Sequence, residues 1–91
     1  MDLEEHHRWW KSTGRNAVNV VLREEWNPIG VSVPPDEYSG YAGTVGRLLS
    51  EHESAAAVAA FLGTARAHIG LGPDAAVDER VAERLVALYP D

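Results

Sequence analysis

Along most of this chain, apolar residues recur at spacings of three and four, which is the periodicity of a helix with one buried face. The only stretch with an extended look runs from Ile29 to Pro35, and its two prolines argue against a central strand. The chain has 91 residues, enough for one hydrophobic core and too few for two. The sequence therefore predicts an all-α fold: a single domain, residues 1–91, built as a compact bundle with short loops.

The periodicity predicts four helices, at about 3–26, 36–51, 54–69 and 75–89. We expect the first helix to end at Trp26, because the next residue precedes a proline and is pushed out of the helical region. Asp36 and Ser54 are predicted as the N-caps of the second and third helices, and Asp74 or Asp78 begins the fourth. Gly70 is the expected stop of the third helix.

Composition and charge narrow the class of protein. The chain has no cysteine, which excludes disulfides, thiolate nucleophiles and zinc–cysteine sites. Its acidic N-terminus is unlike a signal peptide, and its longest apolar run, Ala55 to Leu62, is far short of the roughly 20 residues that span a bilayer. These features predict a soluble cytoplasmic protein without membrane association.

The formal net charge of −6 is unevenly distributed. Residues 1–33 hold four basic and five acidic side chains, whereas residues 34–91 hold four basic and nine acidic ones. Acidic surfaces repel phosphate and attract basic partners, so a basic protein is a better candidate partner than a nucleic acid. The alternative is that the charge only keeps the protein soluble.

The segment from Glu25 to Val31, followed by residues 36–38, has two interpretations. As a structural corner, Trp26 covers the core, Asn27 bonds nearby backbone and Gly30 supplies a turn. As a recognition loop, the same segment joins aromatic and polar groups of the kind that protein interfaces favour. The candidate partner-binding residues are Trp26, Asn27, Asp36, Glu37, Tyr38, Tyr41 and Trp9.

Over roughly residues 16–89, this sequence resembles a family of small bacterial all-helical domains of unknown function. The family signature is Trp-Asp-Pro-Ile-Gly followed by Asp-Glu-Tyr, and this chain has Asn27 in place of the aspartate. The resemblance implies a bacterial source and a helical fold, and it transfers no activity. Comparable small acidic helical domains occur among immunity proteins for bacterial toxins, which is an analogy of fold and charge.

The adjacent Trp9 and Trp10 point in different directions on a helix, so one of them is exposed unless a second surface covers it. An exposed tryptophan would be available to bind a partner protein or a second copy of the chain, so a homodimer is possible. Gly40, Gly43 and Gly46 recur every three residues in the second helix, and we expect them to let a neighbouring helix approach closely.

No phosphate-binding loop, dinucleotide motif or nucleophile elbow is present, and the four histidines lack the spacing of a metal pair. We therefore expect no enzyme activity and no catalytic, cofactor or metal residues. The favoured function is a small acidic intracellular protein-binding module, of the immunity or antitoxin type that neutralises a basic toxin. The alternatives are an accessory subunit or small enzyme with a site near Asp36 and Tyr38, and a nucleic-acid binder through the stripe Arg8, Lys11 and Arg15.

Overall fold

The first helix runs without a break from residue 3 to residue 26, although its hydrogen-bonding pattern changes three times. The structure, a computed structural model, describes residues 2–27, 30 and 37–90. In the first helix, α-helical segments alternate with wider π-helical ones, in the order Leu3–Trp9, Trp10–Gly14, Arg15–Val21 and Leu22–Trp26. Gly14 is the last residue of the first π segment, and the helix continues directly at Arg15.

Three α-helices follow, at Ser39–Ser50, Ala55–Ile69 and Ala75–Leu88. Among the described residues there are four helices and no strand, so the predicted all-α bundle is confirmed. The side chain of Ser54 accepts a hydrogen bond from the Ala57 N–H at 3.2 Å, and Asp74 accepts one from the Val77 N–H at 3.3 Å. Ser54 is the N-cap that the sequence predicted, and Asp74 is the first of the two starts that the sequence left open for the fourth helix. Gly70 ends the third helix in the left-handed region, with φ 94°.

The second helix begins at Ser39, later than the predicted start near residue 36. Residues 37 and 38 form a turn, and Tyr38 occupies the N-cap position without a side-chain capping bond. The predicted cap, Asp36, lies outside the described residues. We attribute the later start to tertiary packing, because the Tyr38 ring is buried edge-on against Trp26 while its backbone remains non-helical.

All four helices contribute to one hydrophobic core, whose largest fully buried side chains are Val18, Leu22, Val45, Val58, Leu62, Val81 and Leu85. The third and fourth helices pack most extensively on each other, and the fourth also contacts the first. The radius of gyration is 12.4 Å, close to the roughly 12 Å expected for a compact chain of this length. None of the described helices combines the length and the apolar character that crossing a membrane requires.

Two glycines make room for the adjacent tryptophans. A Cβ atom on Gly14 would lie 2.5 Å from Cζ3 of Trp9, and one on Gly46 would lie 2.6 Å from Cζ3 of Trp10. Both indoles are therefore half-buried, and the second helix provides the surface that covers Trp10. Of the three glycines in that helix, only Gly46 is closely approached, and the neighbour is an indole ring.

Replacing Gly46 by alanine is expected to destabilise the protein by about 1–3 kcal/mol, because the new methyl group would displace the Trp10 ring. The matched control is Gly43→Ala in the same helix, where the added Cβ meets nothing within 4 Å. That change should raise stability by up to ~1 kcal/mol through helix propensity. Urea denaturation of both variants measures the difference, and equal stabilities would contradict the proposed ring packing.

Candidate functional site

The corner after the first helix is an aromatic cluster closed by hydrogen bonds. Trp26 and Tyr38 are each 3% exposed, and their rings meet edge-on with centroids 5.4 Å apart. The Tyr41 ring lies 6.0 Å from Trp26, also edge-on. The Tyr38 hydroxyl donates to Oδ1 of Asn27 at 2.9 Å. The first and second helices are therefore joined at this corner by packed rings and a part-buried hydrogen bond.

Asn27 ends the first helix with positive dihedral angles, φ 29° and ψ 65°. Its N–H donates to the Leu22 carbonyl at 2.8 Å, which closes the second π segment. Its own carbonyl accepts from the Gly30 N–H at 3.0 Å, and Gly30 has φ 80°. The predicted end at Trp26 is confirmed; Pro28 lies outside the described residues.

Glu25, the first residue of the same segment, binds the fourth helix. Its two carboxylate oxygens accept from Nε and Nη2 of Arg84 at 3.0 and 3.1 Å. This hydrogen bonding, with the attraction between the charges, raises the pKa of Arg84 above its ordinary value. The pair is largely solvent-exposed, so it orients the two helices more than it stabilises them.

A buried polar network connects the corner to the third and fourth helices. Nε1 of Trp26 donates to Oδ1 of Asp78 at 2.8 Å, and Nε of Arg66 donates to the same oxygen at 2.9 Å. The side chains of Arg66 and Asp78 are only 7% and 5% exposed. The Arg66 guanidinium also lies 5.7 Å from the centre of the Trp26 ring, within range of a cation–π interaction. Each of the two buried charges thus has an opposite charge in direct contact.

Both donors of this network use the same oxygen of Asp78. Among the residues that the structure describes, no hydrogen bond reaches the other oxygen, Oδ2. Oδ2 lies 3.7 Å from the position that a Cβ on Gly63 would occupy, so it faces the third helix. A carboxylate oxygen can accept further hydrogen bonds, and this one remains available for a donor.

Gly63 and Asp78 also line a surface groove of about 500 Å³ between the third and fourth helices. Small residues of the third helix form one wall: Ala55, Ala56, Ala59, Ala60 and Gly63. The loop before the fourth helix and the helix itself contribute Asp74, Glu79 and Glu83. The described side chains that line the groove are apolar or carboxylate, so they offer acceptors without donors. The groove is suited to an occupant with a small apolar face and positive charge.

A second aromatic cluster surrounds the buried His6 near the start of the first helix. Nδ1 of His6 lies 3.1 Å from the Tyr89 hydroxyl oxygen, at hydrogen-bonding distance. The Trp9 ring meets Tyr89 edge-on at 5.1 Å, and the Trp10 ring stacks with His6 at 6.3 Å. Burial, and to a lesser extent the charge of His7, lower the pKa of His6 from its ordinary value of 6.5.

The lowered pKa of His6 predicts acid sensitivity. The unfolded chain takes up the His6 proton near pH 6.5, before the folded protein does, so stability is retained above that pH and falls as the pH drops toward the lowered pKa. We expect the free energy of unfolding to decrease as the pH falls below about 6.5, where the unfolded chain begins to bind this proton. His6→Gln should reduce this slope, whereas His68→Gln, at an exposed position, should keep it. Equal slopes for wild type and His6→Gln would contradict the prediction.

The structure does not assemble the predicted partner-binding residues into one exposed surface. Trp26 and Tyr38 are buried, and Asn27, Tyr41 and Trp9 are half-buried. Trp9 belongs to the His6 cluster, apart from the corner. Of the members that the structure describes, only Glu37 is exposed; Asp36 lies outside the described residues. The corner interpretation therefore accounts for Trp26 and Tyr38, which have almost no surface to offer a partner in this fold.

Sequence reasoning missed the Arg66–Asp78 pair and the groove beside it. A signal was present, because Arg66 follows Leu62 by four residues and Asp78 precedes Val81 by three. Both charges thus fall on the apolar faces of their helices. The pattern did not show which side chains meet Asp78, because Arg66 is 12 residues away along the chain and Trp26 is 52 residues away.

Comparisons with protein-family models, curated proteins and solved structures found no match to this chain. The family resemblance drawn from the Trp26 segment therefore stays a prediction. Among residues 2–27, 30 and 37–90, no group of three or more histidine or carboxylate side chains is arranged to hold a metal ion.

Proposed function

We propose that this protein is a binding module for a basic segment of a partner protein. The observation that carries the proposal is the groove between the third and fourth helices, with one wall of alanine and glycine and carboxylates opposite. The net charge of −6 supports it, because an acidic surface accelerates encounter with a basic partner. The corner is unsuited to this role because its main aromatic side chains are buried.

A protein partner fits this groove better than a small metabolite. Sites for small molecules are usually lined by hydrophobic and aromatic groups with several kinds of polar group that set orientation. Among the residues that the structure describes, the lining of this groove offers neither aromatic rings nor side-chain hydrogen-bond donors. The immunity role expected from the sequence is one form of the proposal, in which the partner is a basic toxin. We also propose a cytoplasmic location, which the absence of cysteine supports.

Site-specific photo-crosslinking in the native cells tests the proposal. A photoreactive residue at position 60 sits in the groove, whereas the same residue at position 67 sits on an exposed part of the same helix away from it. We expect position 60 alone to capture one basic protein. Equal capture at both positions, or capture of acidic proteins only, would count against the proposal.

The captured protein, once purified, allows a second test. The affinity between the captured protein and this chain should fall as the salt concentration rises. It should also be lower for the double variant Glu79→Gln/Glu83→Gln, whose changes lie in the groove. The matched control is Glu24→Gln/Glu37→Gln, which removes the same charge from exposed positions outside the groove. Equal losses in the two double variants would indicate a general charge effect and would contradict the assignment of the groove.

A further inference from the structure

Building on the proposed function, we infer that the occupant of the groove is an α-helix. A face of small residues on this helix packs on the third helix, and one of its basic side chains reaches Oδ2 of Asp78. The small residues are spaced for such a partner. Ala55, Ala59 and Gly63 are four residues apart, so they lie on one face over about two helical turns, roughly 12 Å. Small side chains on such a face let a second helix approach at the short end of the usual 8–10 Å axial separation.

Backbone hydrogen bonding favours a helix over an extended segment. An extended peptide brings unpaired N–H and C=O groups that need partners where it is buried. The groove walls are mostly helical, so most of their backbone groups are already bonded within the third and fourth helices, and their side chains provide no donors. A helix satisfies its own backbone and presents only side chains to the groove.

The carboxylates repeat with the same period. Asp74 and Asp78 are four residues apart, and so are Glu79 and Glu83, on an element that is helical from Ala75. Residues four apart on a helix lie about 6 Å from each other. An occupant helix with basic residues four apart therefore matches the spacing of the acidic wall. This pattern narrows the partner from any basic protein to one with a basic amphipathic helix.

Asp78 provides the specific contact of this interface. Its side chain is 5% exposed and held at Oδ1 by Trp26 and Arg66, so Oδ2 keeps a constant position facing the small-residue wall. A basic side chain that reaches Oδ2 forms a charge-assisted hydrogen bond shielded from water, which is stronger than an exposed one. The other carboxylates are exposed and contribute mainly to long-range attraction.

Three synthetic peptides test the inference on the full chain. The first is an alanine-based helix with lysines four residues apart. The second is the same peptide with two central alanines replaced by prolines, which prevent a helix. The third carries glutamates in place of the lysines. Binding is followed by ¹⁵N amide shifts and by titration at low and physiological salt. We expect the first peptide to bind at least ten-fold more tightly than the second and to shift amides of residues 55–63 and 75–83.

Two further readouts locate the contact. Ala60→Leu should weaken binding of the first peptide at least ten-fold, whereas the matched change Ala67→Leu, on the same helix outside the groove, should leave it unchanged. The ¹³Cγ signal of Asp78 should move on binding, and that of the exposed Asp2 should stay in place.

The outcomes separate the inference from the proposed function. Equal binding of the two lysine peptides, with shifts confined to the groove, would overturn the helical occupant and retain a basic partner. Binding of the first peptide outside residues 55–83 would overturn the groove as its site. Absence of binding by either lysine peptide at low salt, or equal binding of the glutamate peptide, would count against the proposed function as well.

Discussion

Replacing Asp78 by asparagine is expected to lower the free energy of unfolding by about 3–5 kcal/mol. The amide can still accept from Nε1 of Trp26 through its Oδ1, so the main loss is the negative charge. Arg66, whose side chain is 7% exposed, would then be a buried cation without a counter-ion. A domain of this length has a stability of roughly 5–14 kcal/mol, so the change removes a large part of it. Urea denaturation followed by circular dichroism measures the effect.

The control and the rescue variant distinguish charge pairing from general damage to the fourth helix. Glu79→Gln changes the neighbouring exposed carboxylate and should alter stability by no more than about 0.5 kcal/mol. Adding Arg66→Met to Asp78→Asn removes the unpaired cation and should restore most of the lost stability. If the double variant were less stable than Asp78→Asn alone, the unpaired charge of Arg66 would not be the cause of the lost stability.

The parts of the fold that could be predicted from the sequence are those that depend on neighbouring residues. Ser54 and Asp74 cap their helices through bonds to residues three positions later, and Gly70 ends the third helix through its own backbone. Each of these signals is local, so a single sequence contains it. The start of the second helix differs because it depends on Tyr38 packing against Trp26, a contact between different helices.

The candidate site was less predictable for the same physical reason. The sequence indicated an acidic protein with a basic partner, and the structure locates carboxylates beside an apolar wall that the alanine-rich helix provides. That wall belongs to one helix and the carboxylates chiefly to another, so the groove exists only once the two helices pack. Of the two interpretations of the Trp26 segment, the recognition loop places its aromatic residues at a surface and the corner places them in the core, and Trp26 and Tyr38 are buried.

Replacing Trp26 is expected to have the second large effect on the stability of the protein. Trp26→Ala should cost about 3–5 kcal/mol, because it deletes a buried ring that packs on Tyr38 and Tyr41. Trp26→Phe keeps an aromatic ring and removes the donor to Asp78, so its cost should be smaller, about 1–3 kcal/mol. Denaturation of both variants, with Trp9→Phe as a half-buried control expected to cost less than Trp26→Phe, measures the series.

A recognition role for Trp26 predicts the opposite result: the Trp26→Ala variant would keep the stability of the wild type and lose affinity for its partner. The phenylalanine variant decides between them even if the alanine variant fails to fold. With Trp26 as a core residue, folded Trp26→Phe should bind the lysine-bearing helical peptide only slightly more weakly than the wild type, since the groove walls are intact and Arg66 still holds Oδ1 of Asp78. A folded Trp26→Phe variant with wild-type stability and ten-fold weaker binding would show that the corner contacts the partner, and that the buried position of Trp26 is not its position in the complex.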